Sequence, residues 1–148
     1  MIAQNPFELF RVECQNVLAV AIEKTLPETQ KPAIVLKKTP NLEYGQLSTS
    51  LCFELAKQLK QKPLDLAKRI VDAINKSGFN LIEKVEPAGA GYINFYVDFP
   101  KFSALTFDSI KQLDQSYGYI KTDEPKKIIV EHTSVNPLHP IHIGQARN

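Results

Sequence analysis

Cysteine is scarce in this sequence, and its two copies stand far apart. Cys14 and Cys52 each fall within an apolar pattern of helical spacing, and neither belongs to a C-x-x-C motif. Isolated cysteines without a paired spacing are typical of small buried side chains rather than of a disulfide framework. We therefore predict two buried thiols in a protein of the reducing cytosol.

Long apolar runs are absent as well. No stretch approaches the roughly 18 to 20 residues that a membrane span requires, and the N-terminus lacks the basic-then-apolar order of a secretion signal. We expect a cytoplasmic protein without a membrane partner. The sequence also contains no internal repeat and no low-complexity tract.

Neither sign of charge dominates. The 148 residues include 18 Lys and Arg against 16 Asp and Glu, which gives a formal net charge of +2. The basic residues are concentrated, because the segment 31–84 holds ten Lys and Arg but only five Asp and Glu. Such a segment can form a face for a phosphate backbone, although solvated helix surfaces explain the excess about as well.

The apolar pattern predicts a fold of the α+β class, in which helices pack on a small antiparallel sheet. The helices are predicted from Pro6 to Lys24, after Ser48-Thr49-Ser50, from Pro63 to Ser77-Gly78 and from Pro100 to Gly118. The strands are predicted at 34–37, 81–86 and 91–98. In the last helix, either Ser109 or Ile110 is expected on the inward face.

The strand predicted at 91–98 alternates polar and apolar side chains. Tyr92, Asn94 and Tyr96 share one face, because side chains of a strand point alternately to its two sides. An aromatic ring beside an amide on an open sheet can stack on an unpaired base and read its edge. The plainer alternative is a solvated sheet face, which the pattern alone favours.

The C-terminal segment predicts a phosphate-binding turn. Ile128-Ile129-Val130 indicates a short buried strand, and Pro137 and Pro140 prevent a helix from starting directly after it. Gly144 permits a close backbone approach, and a helix beginning at Gln145 would present free N–H groups with partial positive charge. An anion binds well in such a place.

This segment resembles a family signature. Glu131-x-x-Ser134-x-Asn136-Pro137, followed by Pro140-Ile-His-Ile-Gly-x-Ala-Arg-Asn148, is similar to the nucleotide-binding signature of class I aminoacyl-tRNA synthetases, and among them of arginyl-tRNA synthetases. The H-x-G-H box of the class reads His142-Ile143-Gly144-Gln145 here. A glutamine therefore replaces the second histidine, and it can still hydrogen-bond a ribose or a base.

The resemblance implies roles for these residues. His142 and Gln145 would be catalytic, and together with Gly144 they would bind ATP, which magnesium accompanies as its counter-ion. No metal site made of protein ligands is expected, because the histidines lack paired ligand spacing. The implied contacts to L-arginine are Glu131, Ser134 and Asn136.

Two further stretches resemble the additional N-terminal domain of arginyl-tRNA synthetases. They are Tyr44-Gly45 with Glu54-Leu-Ala-Lys57, and Gly91-Tyr-Ile-Asn94-Phe. In that domain an aromatic-x-amide pair on the sheet contacts the D-loop at the elbow of the tRNA. The resemblance therefore implies that Tyr92 and Asn94 bind the tRNA for arginine. After Tyr44-Gly45 the family often has an acidic residue, where this chain has Gln46.

The implied domain organisation has three parts. Residues 1–120 form the N-terminal tRNA-binding domain, 121–126 a linker, and 127–148 the first strand and signature loop of a Rossmann-like catalytic domain. Since each βαβ unit needs upwards of about 30 residues, that second domain is incomplete. We expect the front part of a longer, monomeric arginine–tRNA ligase, inactive alone, whose tail is poorly held or pairs at an open strand edge.

Two alternatives remain open. One is a free-standing RNA-binding or interaction module derived from a synthetase. The other is a small nucleotidyltransferase with an H-x-G-H box, but such enzymes begin with the nucleotide fold, whereas roughly 120 α+β residues precede the box here.

Overall fold

The computed structural model describes residues 2–28, 33–119, 122–124 and 126–129. In these ranges the chain forms four α-helices and a four-stranded sheet, with three short 3₁₀ turns, so the predicted α+β class is confirmed. The helices are α1 (Pro6–Thr25), α2 (Leu51–Leu59), α3 (Pro63–Ala73) and α4 (Phe99–Leu113), and the strands are β1 (Lys37–Lys38), β2 (Leu47–Thr49), β3 (Ile82–Ala88) and β4 (Tyr92–Val97).

Helices α1 and α4 begin with side-chain caps. The side chain of Asn5 accepts a hydrogen bond from the backbone N–H of Glu8 at 3.1 Å, and that of Asp98 accepts from the N–H of Lys101 at the same distance, 3.1 Å. A proline stands in the first turn of both helices, where its missing N–H costs nothing. The predicted starts at Pro6 and Pro100 therefore hold within one residue.

The sheet is antiparallel throughout, in the order β1-β2-β4-β3. Strand β4 is central, because it pairs with β2 on one side and with β3 on the other. Phe95 of β4 lies opposite Leu47 and Val85. Since directly opposed residues project to the same face, these three side chains meet on one side of the sheet.

The helices cover that side and form the core with it. Ile93, Phe95 and Val97 of β4 are buried there, as the alternation predicts. The Glu13 carboxylate of α1 accepts hydrogen bonds from the backbone N–H groups of Asn80, at 2.6 Å, and Leu81, at 2.8 Å. Helix α1 is thereby attached to the residues directly before β3.

Both cysteines are buried and free, which confirms the predicted thiols. Burial raises the pKa of both thiols, that of Cys52 to about 11. Of the two residues predicted for the inward face of α4, Ser109 is fully buried, whereas Ile110 is exposed. The Ser109 hydroxyl donates to the Leu105 carbonyl at 2.6 Å and accepts from the Ala3 N–H at 2.9 Å.

Strands β1 and β2 differ from the prediction. The strand expected at 34–37 pairs only at Lys37–Lys38, because its partner β2 is only three residues long. Residues 48–50 were expected to cap a helix, but Leu47–Thr49 is strand and only Ser50 is the cap position. Ser50 makes no cap hydrogen bond through its side chain, and Thr49 accepts from the Leu51 N–H at 3.3 Å instead.

The C-terminal predictions fall largely outside the described residues. The linker at 121–126 is described only in part, and from the predicted strand at Ile128–Val130 the description includes only its first two residues, both exposed. The division into 1–120, 121–126 and 127–148 therefore stays a prediction. Among the helices that are described, none is long and apolar enough to cross a membrane.

Candidate nucleic-acid interface

A groove of about 700 Å³ lies over the sheet face that the helices leave open. We call it the sheet groove. Its walls come from β1, the loop before β2, the N-terminal turn of α2, the β3–β4 turn and the first half of β4. The lining residues are Val35, Lys37, Lys38, Thr39, Pro40, Tyr44, Ser48, Thr49, Ser50, Glu54, Ala88, Gly89, Tyr92 and Asn94.

A polar row crosses this face from edge to edge. The register pairs Glu86 with Asn94, Asn94 with Ser48, and Ser48 with Lys37, one residue from each of the four strands. Directly opposed residues share a face, so carboxylate, amide, hydroxyl and ammonium groups stand side by side. The row offers both donors and acceptors to a ligand lying across the sheet.

Tyr92 presents its ring at the end of β4. The residue is 46% exposed, and its ring meets that of Phe53 of α2 edge to face, with centroids 5.0 Å apart and planes at 65°. Such a contact orients the ring and adds about 0.5–1.5 kcal/mol beyond area burial. The ring is thus held by α2 while part of its surface faces the sheet groove.

Asn94 lies on the same face, as the period of two predicts, but it is much less accessible than Tyr92. Only 3% of Asn94 is exposed, and Ser48 and Glu86 lie opposite it on the adjacent strands. It therefore belongs to the floor of the sheet groove, where an amide offers a donor and an acceptor within a small, defined area.

Tyr96, the third polar residue of the face, is tied to its surroundings. Its hydroxyl donates to the Glu43 carbonyl at 3.1 Å, and the Lys84 ammonium lies 4.2 Å from its ring centroid. Lys84 also pairs with Glu86 at 3.1 Å. Burial raises the pKa of the Tyr96 hydroxyl, and the negative charge of Glu86 adds to the rise. Tyr96 closes one end of the face and is not a free binding group.

Tyr44 is a groove residue that sequence reasoning missed. It was identified only as part of a family resemblance, yet it is 52% exposed and lines the sheet groove. It ends the 3₁₀ turn Leu42–Tyr44, and Gly45 follows with a φ of +78°. A loop residue has no periodicity, so the only available signal was an aromatic residue directly before a glycine.

The charges at the sheet groove have a small positive balance. Two lining residues are cationic, Lys37 and Lys38, and one is anionic, Glu54, which gives a net of +1. The Lys38 ammonium lies 5.3 Å from the Phe7 ring centroid, so α1 holds it on the helix side of the edge strand. Lys37 remains on the open face, beside Ser48 of the polar row.

The remaining predicted site residues lie outside the described residues. They are His142, Gly144 and Gln145 for ATP and Glu131, Ser134 and Asn136 for arginine, and their placement stays a prediction. In the ranges that the structure does describe, no three His, Cys, Asp or Glu side chains come together in a way that could hold a metal ion.

Helices on one face of an antiparallel sheet, with a polar and aromatic groove on the other, define a small α+β domain. Residues 13–97, more than half of the chain, match the family model of the arginyl tRNA synthetase N terminal domain. The chain belongs to this family.

Curated relatives named arginine–tRNA ligase match most of the chain. That of Thermococcus sibiricus is 43% identical over 134 residues, which are 90% of this chain and 21% of the relative. That of Methanocaldococcus jannaschii is 42% identical over 134 residues, 90% of this chain and 23% of the relative. The chain thus spans about a fifth of the length of the curated relatives that it matches.

Solved structures agree on the fold. Thermus thermophilus arginyl-tRNA synthetase superposes with a TM-score of 0.55 at 26% identity, covering 93% of this chain and 21% of that one. Plasmodium falciparum arginyl-tRNA synthetase superposes with a TM-score of 0.52 at 18% identity, covering 68% of this chain and 17% of that one. The second likeness concerns the fold alone.

Proposed function

We propose that this chain is the tRNA-docking N-terminal region of an arginine–tRNA ligase, and that its sheet groove binds an unpaired nucleotide of the D-loop at the tRNA elbow. One observation carries the proposal. The Tyr92 ring is oriented and half-exposed directly beside the Asn94 amide on the groove floor, in a chain of the arginyl-tRNA synthetase family.

The two side chains suit an unpaired base. A base stacked on an aromatic ring gains about 1–3 kcal/mol, whatever its identity. A neighbouring amide can then donate to and accept from the base edge, which supplies discrimination between bases. Tyr92 would provide affinity and Asn94 selectivity, while Lys37 stands on the same face for a phosphate group.

The complete ligase would join L-arginine to its tRNA in two steps. The arginine carboxylate would attack the α-phosphate of ATP in line, giving arginyl-adenylate and pyrophosphate. A hydroxyl of the tRNA terminal adenosine would then take the arginyl group, with release of AMP. No protein nucleophile is needed, so catalysis rests on positioning and charge stabilisation. Magnesium would accompany ATP as its counter-ion.

The C-terminal segment would supply part of that active site. His142 can donate to ATP phosphates, Gly144 allows close approach of the nucleotide, and Gln145 replaces a ribose-contacting histidine. A carboxylate suits the cationic end of arginine, while a hydroxyl and an amide suit its α-amino and carboxylate groups. These arginine contacts are assigned to Glu131, Ser134 and Asn136.

The alternatives are not favoured. A nucleotidyltransferase or a free-standing module accounts less well for a chain that belongs to the arginyl-tRNA synthetase N-terminal family and matches curated relatives named arginine–tRNA ligase. We assign the tRNA-docking role to the described domain and the adenylation role to the complete ligase, with cytoplasmic location and a monomeric state as further expectations.

The docking role is tested by binding of the 148-residue chain to the tRNA for arginine and to an unrelated tRNA, with the dissociation constant as the measurement. We expect Tyr92→Ala to weaken binding to the tRNA for arginine about 5- to 150-fold, which corresponds to 1–3 kcal/mol of stacking. Tyr119→Ala is the matched control, because Tyr119 is 74% exposed and does not line the sheet groove.

Asn94→Ala should act mainly on selectivity. It should reduce the ratio of the dissociation constants for the unrelated tRNA and the tRNA for arginine more than it weakens the binding that both tRNAs share. Equal affinity of wild type and Tyr92→Ala would contradict the docking role.

The adenylation role has a separate test in the complete ligase. His142→Ala should cut ATP–pyrophosphate exchange severely, and an unchanged exchange rate would remove His142 from the site.

A further inference from the structure

We infer that Tyr44 forms a second base-stacking subsite in the sheet groove, so that the groove takes two unpaired nucleotides of the RNA rather than one. This inference rests on the proposed function and extends it to the number of nucleotides recognised. Tyr44 and Tyr92 are the two aromatic residues that line the sheet groove within the described chain, and both are about half-exposed.

The loop that carries Tyr44 is built to hold a defined shape. The Asn41 side chain accepts from the Glu43 N–H at 3.1 Å, and the Gly45 N–H donates to the Leu42 carbonyl at 3.0 Å. These bonds close a 3₁₀ turn directly before the glycine. The turn fixes the backbone of Tyr44 although the turn itself buries no residue.

The same loop is fastened to the central strand. The Gln46 N–H donates to the Phe95 carbonyl at 2.9 Å, and the Gln46 side-chain oxygen accepts from the Val97 N–H at 2.7 Å. The Tyr96 hydroxyl donates to the Glu43 carbonyl at 3.1 Å. Bonds on both sides of Tyr44 therefore tie its backbone to β4.

A fixed and exposed aromatic residue is well suited to binding. Little conformational entropy of the loop remains to be lost when a ligand arrives, so more of the stacking energy appears as affinity. Tyr44 is absent from the core and 52% of it is accessible, so its ring is open to a stacking partner.

The placement favours two separate subsites over a single clamp. Tyr92 stands at the start of β4, and the Tyr44 loop is fastened to residues 95–97 at its end, with Asn94 between them. Along the backbone of β4, four residues span roughly 13 Å. A single base between two rings would need them about 7 Å apart, since stacked bases lie about 3.4 Å from each other.

The size and charge of the sheet groove agree with two nucleotides. Its volume of about 700 Å³ lies in the upper part of the range of about 300–1,000 Å³ that holds whole small-molecule ligands. Lys37 stands on the open face beside Ser48, the residue paired with Asn94. A phosphate that links the two nucleotides would meet this ammonium group.

The test combines protein variants with tRNAs for arginine that carry one abasic site, moved in steps through the D-loop. The measurement is the dissociation constant of each pair with the 148-residue chain. In the wild type, we expect abasic sites at two positions to weaken binding fivefold or more. Tyr92→Ala should become insensitive to one position, and Tyr44→Ala to the other, whereas Tyr44→Phe should behave as the wild type.

Tyr119→Ala is again the control and should keep both sensitivities. The inference is overturned if Tyr44→Ala retains both sensitive positions, or if it loses the same position as Tyr92→Ala, which would indicate one clamped base. A wild type without any sensitive position would instead overturn the docking role itself. If Tyr44→Ala does not fold, Tyr44→Leu keeps apolar bulk without the aromatic face and is judged by the same outcomes.

Discussion

Two glycines fix the backbone beside the two tyrosines of the sheet groove. Gly91 precedes Tyr92 with a φ of +145°, and a Cβ added there would lie 2.5 Å from the Cβ of Pro63. Gly45 follows Tyr44 with a φ of +78°, and its added Cβ would meet the Phe95 backbone. At both positions a side chain faces a strained backbone and an occupied space.

Gly91→Ala should lower the free energy of unfolding by at least about 2 kcal/mol, since strain and overpacking each cost about 1–3 kcal/mol. Urea denaturation measures this. Gly118 has a φ of +77° with open space around it, and Gly78 also has open space without a positive φ. Gly118→Ala should therefore cost about 1–2 kcal/mol, and Gly78→Ala less than about 0.5 kcal/mol. Equal losses at Gly91 and Gly78 would contradict this account.

Because the Cys52 thiol is buried, the free energy of unfolding should decrease as the pH rises through the alkaline range. Its pKa is raised to about 11 in the folded chain from an ordinary value of 9.0, so the folded state keeps a proton that the unfolded state releases between these values. The stabilisation is complete below about pH 9 and is lost as pH rises through about 11.

The free energy of unfolding should therefore fall more steeply between pH 9 and 11 in the wild type than in Cys52→Ala, by about 1–3 kcal/mol over the interval. Urea denaturation at several pH values measures both slopes. Parallel slopes would show that the thiol does not titrate in this way. Cys52→Ala itself lowers stability at every pH, because it leaves a cavity, so only the difference in slope is diagnostic.

At the scale of elements, Gln46 lengthens the pairing between β2 and β4. Strand β2 begins at Leu47, and the Gln46 side chain continues the ladder by accepting from the Val97 N–H at 2.7 Å. The resemblance implies an acidic residue at this position. A carboxylate could accept the same hydrogen bond.

Gln46→Ala should lower the free energy of unfolding by about 1–3 kcal/mol, because the Val97 N–H loses its acceptor. Gln46→Glu should stay within about 0.5 kcal/mol of the wild type. Thermal and urea unfolding of the two variants give the comparison. If Gln46→Glu were destabilised as much as Gln46→Ala, the hydrogen bond to the Val97 N–H would not explain the contribution of Gln46 to stability.

The elements differ in how far the sequence determines them. Caps and prolines are local signals, and so α1, α3 and α4 begin close to where they are predicted. Strands β1 and β2 consist of two and three residues, too few for a period of two to appear. Strand β2 forms by pairing with β4, and β1 forms by pairing with β2. Tertiary contacts of this kind cannot be read from a local pattern.

The same distinction applies to the site. Tyr92 and Asn94 could be placed on one face because a strand alternates its side chains, and the register confirms it. That Asn94 lies buried on a groove floor, or that Tyr44 lines the same groove, follows from the meeting of four strands and a loop. Only the assembled sheet contains that information.

At the scale of the whole molecule, charge is too small to drive RNA binding alone. The net charge is +2, and the sheet groove has a balance of +1 from two lysines and one glutamate. Few phosphate contacts are therefore expected, and stacking should carry much of the affinity. The dependence of binding on salt separates the two contributions.

We expect a shallow decrease of log K with log salt concentration for the wild type. Lys37→Ala should reduce this slope by about 0.7–0.9, the value of one phosphate contact, and weaken binding to all tRNAs alike. Tyr92→Ala should leave the slope unchanged. The control is Lys111→Ala in α4, which does not line the sheet groove, and identical slopes for both lysine variants would contradict a phosphate contact at Lys37.

The sheet order also bears on how the protein is made. Strand β4 is the last strand within the described residues, yet β2 and β3 are joined only through it. A nascent chain that has left the ribosome only as far as β3 lacks the strand that joins β2 to β3. The sheet groove should therefore form during translation only once β4 has emerged.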